Sequence, residues 1–271
     1  MQDYPKKLLI LLLFTVLSTP IWAQKQFRID MIQATSHPES DISPRVSPHG
    51  RWMAYVNHNA GNFDIWLRRT RGGGRAIQIT KHRADDYYPA WTPNSKSLVF
   101  VSQRSDALGD IWQVDLREAK GYLIPKGKPK QHTFYKGVDS YPTVAPDGKK
   151  IAWVSDRSGQ EEIWFYNDHT SKTLQLTFLG GTHPCWSPNQ DFIAFTSFRA
   201  DPNSNGDIWM INLHGRKPST EEETQFWDER EYPSWQVTQG KATDAFPAWS
   251  LDAKTMLFAR YERDTNGDHV I

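Results

Sequence analysis

The stretch DDYYPAWTPNSKSLVFVSQRSDALGDIWQVD (residues 85–115) contains one full copy of a pattern that recurs along the chain. The pattern consists of an Asp, a Pro three residues later, a turn, an apolar run, Ser-x-Arg, a polar loop and Asp-Ile-Trp. Internal repeats with a period of tens of residues are typical of solenoids and propellers. The spacing of this pattern therefore decides the fold.

Five copies of the pattern follow one another, and they start near residues 41, 86, 139, 181 and 244. Their aligned prolines are Pro44, Pro89, Pro142, Pro184 and Pro247. After each Pro comes a turn rich in Pro, Asn, Asp, Gly or Ser, and then a run in which successive positions are apolar. Apolar residues on both faces of a strand indicate a sheet that is stacked between two neighbours.

Each complete copy offers four short strands and shows no periodicity of an amphipathic helix. Four strands in a repeat of about 40–60 residues are the pattern of a β-propeller blade. The sequence therefore predicts an all-β β-propeller of four-stranded blades, of which five can be counted.

The ends of the repeat region raise the question of closure. Residues 26–35 alternate between apolar and polar side chains, and the fifth copy stops at Ile271 within its third strand. We expect residues 26–35 to form the outer strand of the fifth blade, because closure removes open sheet edges. The alternative is that the chain is the amino-terminal part of a longer propeller with six or more blades.

The first 23 residues are expected to be a signal peptide. Lys6 and Lys7 precede an apolar run over 8–17, and Ala23 offers a small residue at the cleavage point. The run is shorter than the ~20 residues that span a membrane, although a membrane anchor is the alternative. The propeller would then occupy residues 24–271, without a membrane span, in the periplasm of a Gram-negative bacterium or outside the cell.

Composition limits the partners and the means of stabilisation. Charges are balanced, with 32 Lys and Arg against 31 Asp and Glu, so nucleic acid is not expected as a partner. Cys185 is the single cysteine, which excludes an intramolecular disulfide. Its neighbours are Pro184 and Trp186, and this context favours burial as a small apolar residue over a reactive thiol.

The combination D-x-x-P-x-W-S-P-[DN]-G, an apolar strand, S-x-R and D-I-W resembles the repeats of the TolB-type β-propellers. The resemblance covers about residues 26–271 and implies a periplasmic protein of the Tol–Pal envelope system. TolB itself has an α/β domain ahead of a six-bladed propeller, whereas here about 17 residues separate the predicted signal peptide from the first Asp-x-x-Pro. The partner-binding residues of TolB are therefore not transferred to this chain.

Two loops carry oxygen donors at alternate positions, as calcium loops do. The candidate metal ligands of the first loop are Asp201, Asn203, Asn205 and Asp207. Gly206 occupies the sixth position, but the twelfth, where a calcium loop has Glu, is Asn212. The second loop, residues 264–268, is shorter. For both loops the alternative is a hydrogen-bonded turn rich in Asp and Asn.

Two insertions between the third and fourth strands of a blade are candidates for partner contact. The insertion at 214–235 is acidic and carries Trp227 and Trp235. The insertion at 117–130 is basic and carries Lys126 and Lys128. Both should leave the propeller on the face opposite the Asp- and Asn-rich loops. Function commonly resides in loops on a rigid scaffold, although a merely solvated loop is the alternative.

Recognisable catalytic motifs are missing from the sequence, including G-x-S-x-G, H-E-x-x-H and Cys/His zinc spacings. The aspartates of Asp-x-x-Pro could form an acidic ring near a channel, but we prefer to interpret them as acceptors of backbone N–H groups in the turn. The sequence thus predicts an exported scaffold that binds another envelope protein. The alternative is an enzyme, either a carbohydrate lyase or hydrolase, or the non-catalytic propeller of a peptidase.

Overall fold

The computed structural model describes residues 33–35, 40–58, 61–71, 74–168, 171–199, 206–213, 232–240 and 242–261. The backbone of these residues forms five antiparallel sheets. The strands of the first two sheets are β1 (Asp41–Val46), β2 (Trp52–Asn57), β3 (Asp64–Arg69), β4 (Ile77–Gln78), β5 (Asp86–Trp91), β6 (Ser97–Ser102), β7 (Asp110–Ala119) and β8 (Tyr122–Gln131).

The remaining sheets follow in chain order. The third and fourth sheets contain β9 (Asp139–Val144), β10 (Lys150–Ser155), β11 (Glu162–Asn167), β12 (Lys172–Gln175), β13 (Thr182–Trp186), β14 (Phe192–Ser197), β15 (Asp207–Asn212) and β16 (Ser234–Gln236). The fifth sheet pairs β17 (Thr243–Trp249) with β18 (Met256–Tyr261).

Within each sheet the strands lie in sequence order, so every sheet is a simple up-and-down meander. The first strands of successive sheets contact one another and line a central channel. This arrangement is a β-propeller with four complete blades and part of a fifth, which confirms the predicted fold. The predicted signal peptide, the residues 26–32 of the expected closing strand and residues 268–271 lie outside the described part. Residues 33–35 have no regular secondary structure, and closure by residues 26–35 stays a prediction.

The second strand of each complete blade is the most deeply buried one, as its unbroken apolar run predicted. In β6 all six residues are buried. The small residues Ala54, Ala152 and Ala194 are fully buried at equivalent positions, and large side chains of neighbouring blades pack against these strands. The core of the molecule is therefore the set of interfaces between blades.

The first strand of every blade contains a bulge at the same place. Two residues of the first strand, the Pro of the repeat and the residue before it, lie opposite one residue of the second strand. The residue before the Pro has a positive φ in all five blades, between 48° and 57°. These residues are Ser43, Tyr88, Tyr141, His183 and Phe246.

The aspartates of Asp-x-x-Pro have different partners from those expected. Asp86 is fully buried and accepts two hydrogen bonds of 3.0 Å from the guanidinium of Arg104 in the same blade. Asp139 and Arg157 repeat this arrangement in the third blade. In the fifth blade, Arg260 within β18 donates to Asp244 through Nε and Nη2, and in the first blade the Asn57 amide donates to Asp41 at 2.7 Å. The expected backbone N–H partners are thus wrong in the second, third and fifth blades, because a guanidinium that can match both carboxylate oxygens takes their place.

The acid that opens each third strand is held by a second repeated network. Asp64 accepts hydrogen bonds from Thr80 Oγ1 at 3.0 Å and Gln78 Nε2 at 2.9 Å, and Thr80 Oγ1 also accepts the Ile65 N–H. In the other complete blades, the Thr that follows the fourth strand makes the same contact with the acid. The pairs are Thr133 with Asp110, Thr177 with Glu162 and Thr238 with Asp207. Burial raises the pKa of Asp64, Asp110 and Asp207.

The second blade departs from the repeat in the length of its outer strands. β7 and β8 have ten residues each and are joined by Lys120 and Gly121, both with positive φ, as a two-residue hairpin turn requires. The tip of this hairpin contacts the first blade, where Arg69 donates a hydrogen bond to the Gly121 carbonyl. The insertion that we expected to be a loop at 117–130 is therefore a strand extension.

Candidate functional site

The bulge residues of four neighbouring blades form a continuous stack of rings along the channel wall. The ring centroids of Tyr88 and Tyr141 are 4.3 Å apart, and those of Tyr141 and His183 are 4.1 Å apart. His183 and Phe246 continue the stack at 4.1 Å. We call these four residues the channel ladder. At the same position the first blade has Ser43, which leaves a gap in the row of rings.

The bulge explains why these side chains can meet. A residue with a positive φ points its side chain away from the direction that regular strand alternation would give. The residues on either side of the two-residue bulge stay paired with the second strand. Rings from adjacent blades can then tilt over one another, with interplanar angles of 41° to 62°. Tilted rings at these distances are favourable contacts of about 0.5–1.5 kcal/mol each.

His183 lies between two rings and has no hydrogen-bond partner for either ring nitrogen among the described residues. Burial and, to a smaller extent, the charge of Arg45 lower the pKa of His183 to about 4. His183 is therefore neutral at physiological pH. Desolvation and hydrogen bonding with Tyr88 raise the pKa of Tyr141, so this phenol also stays neutral. The channel ladder is thus an uncharged surface with polar edges.

Arg45 is exposed and belongs to the first blade, whereas His183 and Cys185 belong to the fourth. Burial raises the pKa of the Cys185 thiol, and the charge of Arg45 opposes that rise. The charge of Arg45 therefore acts on residues of the fourth blade, although two blades lie between them along the chain. Its guanidinium donates a hydrogen bond to the Pro44 carbonyl, and it has no carboxylate partner in the part of the chain that the structure describes.

The fourth blade lacks the carboxylate of the repeat, because Gly181 stands where the other blades have Asp. A Cβ at this position would lie 3.0–3.2 Å from the side chains of Thr177 and Ile163, so the close packing there favours glycine. Arg199 stacks on Trp209 and donates to Ser234 Oγ at 2.9 Å, while its Nε is buried without a described partner. Burial lowers the pKa of Arg199 to about 10, and the nearby Glu162 opposes this.

The predicted metal site is described only at Asp207. That carboxylate is buried and engaged by Gln236 and Thr238, as its counterparts are in the other blades. Asp201, Asn203 and Asn205 lie outside the described residues, and so does the loop at 264–268. Among the described residues no three His, Cys, Asp or Glu side chains come together as a metal site would require. Calcium binding stays a prediction.

The predicted partner-binding residues fall in different surroundings. Trp235 is 38% exposed on β16 and packs edge-to-face on Phe192, with ring centroids 5.7 Å apart. Lys126 and Lys128 are exposed on β8, the second strand of the long β7–β8 hairpin. Trp227 lies outside the described residues. The structure does not bring these residues together, and their role in partner binding stays a prediction.

Sequence reasoning missed the channel ladder. A signal was present, since the residue before the Pro is aromatic or His in four of the five copies. Its meaning depends on the bulge, which turns this position toward the channel. The described residues also include no helix that is long and apolar enough to cross a membrane.

The fold and the ladder together define a β-propeller assembled from Asp-x-x-Pro repeats, with a stack of rings on the first strands of four neighbouring blades. The model of the TolB beta propeller domain family matches residues 27–235. The chain therefore belongs to this family, as the sequence pattern predicted.

Two bacterial relatives share about a quarter of their residues with this chain over the matched regions. The chain is 26% identical over 224 residues to an uncharacterized protein of Agrobacterium fabrum, and the match covers 80% of this chain and 68% of the relative. It is 26% identical over 186 residues to the Tol-Pal system protein TolB of Francisella tularensis, with 67% of this chain and 37% of that protein covered.

A solved structure of a candidate TolB from Agrobacterium tumefaciens superposes with a TM-score of 0.59 at 22% identity. It covers 82% of this chain and 74% of that one. At this level of identity, the likeness shows the fold.

Proposed function

We propose that the chain is a binding scaffold of the bacterial envelope and that it holds a segment of a partner protein against the channel ladder. The observation that carries the proposal is the ladder itself, a row of four stacked rings at successive blades. Aromatic side chains in a pre-formed concave surface are the usual anchors of protein interfaces.

The chemistry of the channel suits a peptide segment. Phe246 is 48% exposed and offers apolar area for an anchor side chain of the partner. Arg45 of the first blade adds one cation whose charge acts on His183. A partner segment with an apolar or aromatic anchor next to an acidic residue fits these features.

The proposed location is the periplasm. The support is the predicted signal peptide at residues 1–23, together with the similarity to the Tol-Pal system protein TolB of Francisella tularensis. An export assay of residues 1–40 fused to a periplasmic reporter tests this location. A reporter that stays in the cytoplasm would contradict it.

Site-directed photo-crosslinking tests the binding surface. A photoreactive phenylalanine at Phe246 should give a discrete adduct with an envelope protein in cells of the source bacterium. The matched control is Leu251, which is 91% exposed in the turn at the opposite end of β17. The Phe246 adduct should be lost in Y141A, which removes the central ring of the ladder.

Equal adducts from Phe246 and Leu251, or an adduct that persists unchanged in Y141A, would contradict the proposal. Turnover of a glycan or peptide by the purified chain would also contradict it, because a scaffold needs no chemistry.

A further inference from the structure

A second concave surface lies on the other face of the propeller. The Asp-x-x-Pro aspartates stand at the starts of the first strands, whereas this surface lies at the turns where the first strands end. It is a cavity of about 490 Å³ between the first and second blades. The first-to-second turns of both blades and the long β7–β8 hairpin form its walls. A volume of this size lies in the range of small-molecule sites, ~300–1,000 Å³.

The charge of this cavity is one-sided in a chain whose total charge is nearly balanced. Its charged lining residues are Arg51, Lys96, Arg117, Lys126 and Glu118, and His49 lies beside them. Four positive charges therefore face a single negative one. None of the four basic side chains forms an ion pair within 4.0 Å among the described residues.

The walls of the cavity are held in place by specific contacts. The His49 N–H donates to Ser95 Oγ at 3.4 Å and joins the turns of the two blades. The Leu116 N–H donates to the Lys96 carbonyl at 2.7 Å, which fixes the start of the β7 extension beside the second turn. Buried apolar side chains, including Trp52 and Leu116, form the floor.

The hairpin supplies the part of the cavity that the other blades lack. β3, β11 and β15 end after six residues, whereas β7 continues through Arg117. In the hairpin register Asp115 lies opposite Lys126. Its carboxylate accepts hydrogen bonds from Ser97 at 2.8 Å and Gln113 at 3.0 Å. Lys126 lines the cavity and makes no ion pair within 4.0 Å among the described residues.

We propose that this cavity binds a phosphate-bearing ligand through Arg51, Lys96, Arg117 and Lys126. Two guanidinium groups can each offer paired N–H donors to phosphate oxygens, and the lysines add point charges. A ligand with several negative charges neutralises these four positive charges better than a single carboxylate does. The apolar floor leaves room for an uncharged body next to the phosphate. The proposal does not depend on the channel ladder.

Isothermal titration calorimetry with pyrophosphate tests the site on the purified chain. We expect binding that weakens as salt is added and that falls about tenfold or more in R117Q/K126Q. The matched control is K136Q/K172Q, which removes two exposed lysines from the third blade and its link to the second and should leave binding unchanged. All these side chains are exposed, so the variants should keep the melting temperature of the parent.

A second experiment, with lipid vesicles, distinguishes the two sources of the phosphate. Sedimentation with phosphatidylglycerol vesicles, but not with phosphatidylcholine vesicles, would support a lipid headgroup if R117Q/K126Q abolishes it. Binding of pyrophosphate without vesicle binding would support a soluble phosphorylated ligand.

Three results would overturn the proposal: no binding of pyrophosphate or vesicles, equal binding by R117Q/K126Q and the parent, or tighter binding of citrate than of pyrophosphate. Retention of pyrophosphate binding in Y141A would separate this site from the channel ladder.

Discussion

In the second and third blades, the arginine of Ser-x-Arg compensates the buried carboxylate of the first strand. Asp139 is completely buried, and Arg157 holds both of its carboxylate oxygens at 3.1 Å. Removing one partner of such a pair leaves a buried charge without compensation, which costs about 3–5 kcal/mol. In the fourth blade Gly181 replaces the aspartate, so Arg199 has no carboxylate of its own blade to neutralise.

The first prediction compares these two arginines. R157M should lower the free energy of unfolding by about 3–5 kcal/mol, because Asp139 is left charged and buried. R199M should lower the free energy of unfolding by about 1 kcal/mol, because it removes the hydrogen bond from Arg199 to Ser234. Urea denaturation at pH 7 measures both values, and D139N/R157M should recover part of the loss. Similar losses in the two single variants would show that the aspartate is not the cause.

At the scale of single strands and loops, the repeat predicted the first three strands of a blade well. Asp-x-x-Pro, the apolar run and Asp-Ile-Trp each mark a strand whose burial follows from the pattern. The fourth strand was harder to predict because it is an edge strand and has no fixed apolar pattern. In the second blade Pro125, Gly127 and Pro129 lie within β8. An outer strand tolerates Pro because its N–H side can face away from the sheet.

The channel ladder could not be predicted from side-chain types alone. Its members differ from blade to blade, and the regular alternation of a strand would place them differently. Only the shared bulge, with its positive φ before the Pro, brings these rings together. Side-chain patterns report burial, whereas this site depends on a local backbone conformation.

The second prediction concerns the loop between the second and third strands. Gly109 precedes Asp110 with a φ of +96°, and a Cβ there would lie 2.7 Å from Val101 Cγ1. Gly159 has a similar φ of +99° in the third blade but open space around it. G159A should cost about 1–2 kcal/mol from backbone strain, and G109A about 1–3 kcal/mol more from the steric overlap.

Thermal and urea unfolding of the two glycine variants measure this difference. Equal destabilisation would mean that the loop of the second blade shifts to accommodate the methyl group, and that packing against Val101 does not restrict it.

At the scale of the whole molecule, tryptophans of the first strands connect neighbouring blades. Trp91 Nε1 of the second blade donates to the Arg45 carbonyl of the first at 2.9 Å. Trp249 of the fifth blade donates to the Cys185 carbonyl of the fourth at 3.3 Å. Trp186 occupies the equivalent position in the fourth blade, but its indole nitrogen has no partner among the described residues. The blade interfaces therefore share their apolar packing but differ in this hydrogen bond.

The third prediction uses this difference. W91F and W186F remove similar buried area from two blade interfaces, so their packing losses should be comparable. W91F also removes a hydrogen bond and should cost about 1 kcal/mol more. Chemical denaturation followed by circular dichroism measures both losses. A W186F variant that is as destabilised as W91F would show that the interblade hydrogen bond contributes nothing.

The bulge has a consequence for how such a channel can change. The backbone places one residue per blade at the channel wall, and Ser, Tyr, His and Phe are all accommodated there with φ near 50°. This conformation is unfavourable for most residues by about 1–2 kcal/mol, so the fold bears that strain whichever side chain is present. The identity of the side chain is then almost independent of the packed sheets behind it. A library that randomises residues 43, 88, 141, 183 and 246 would therefore yield many channel surfaces on one unchanged scaffold.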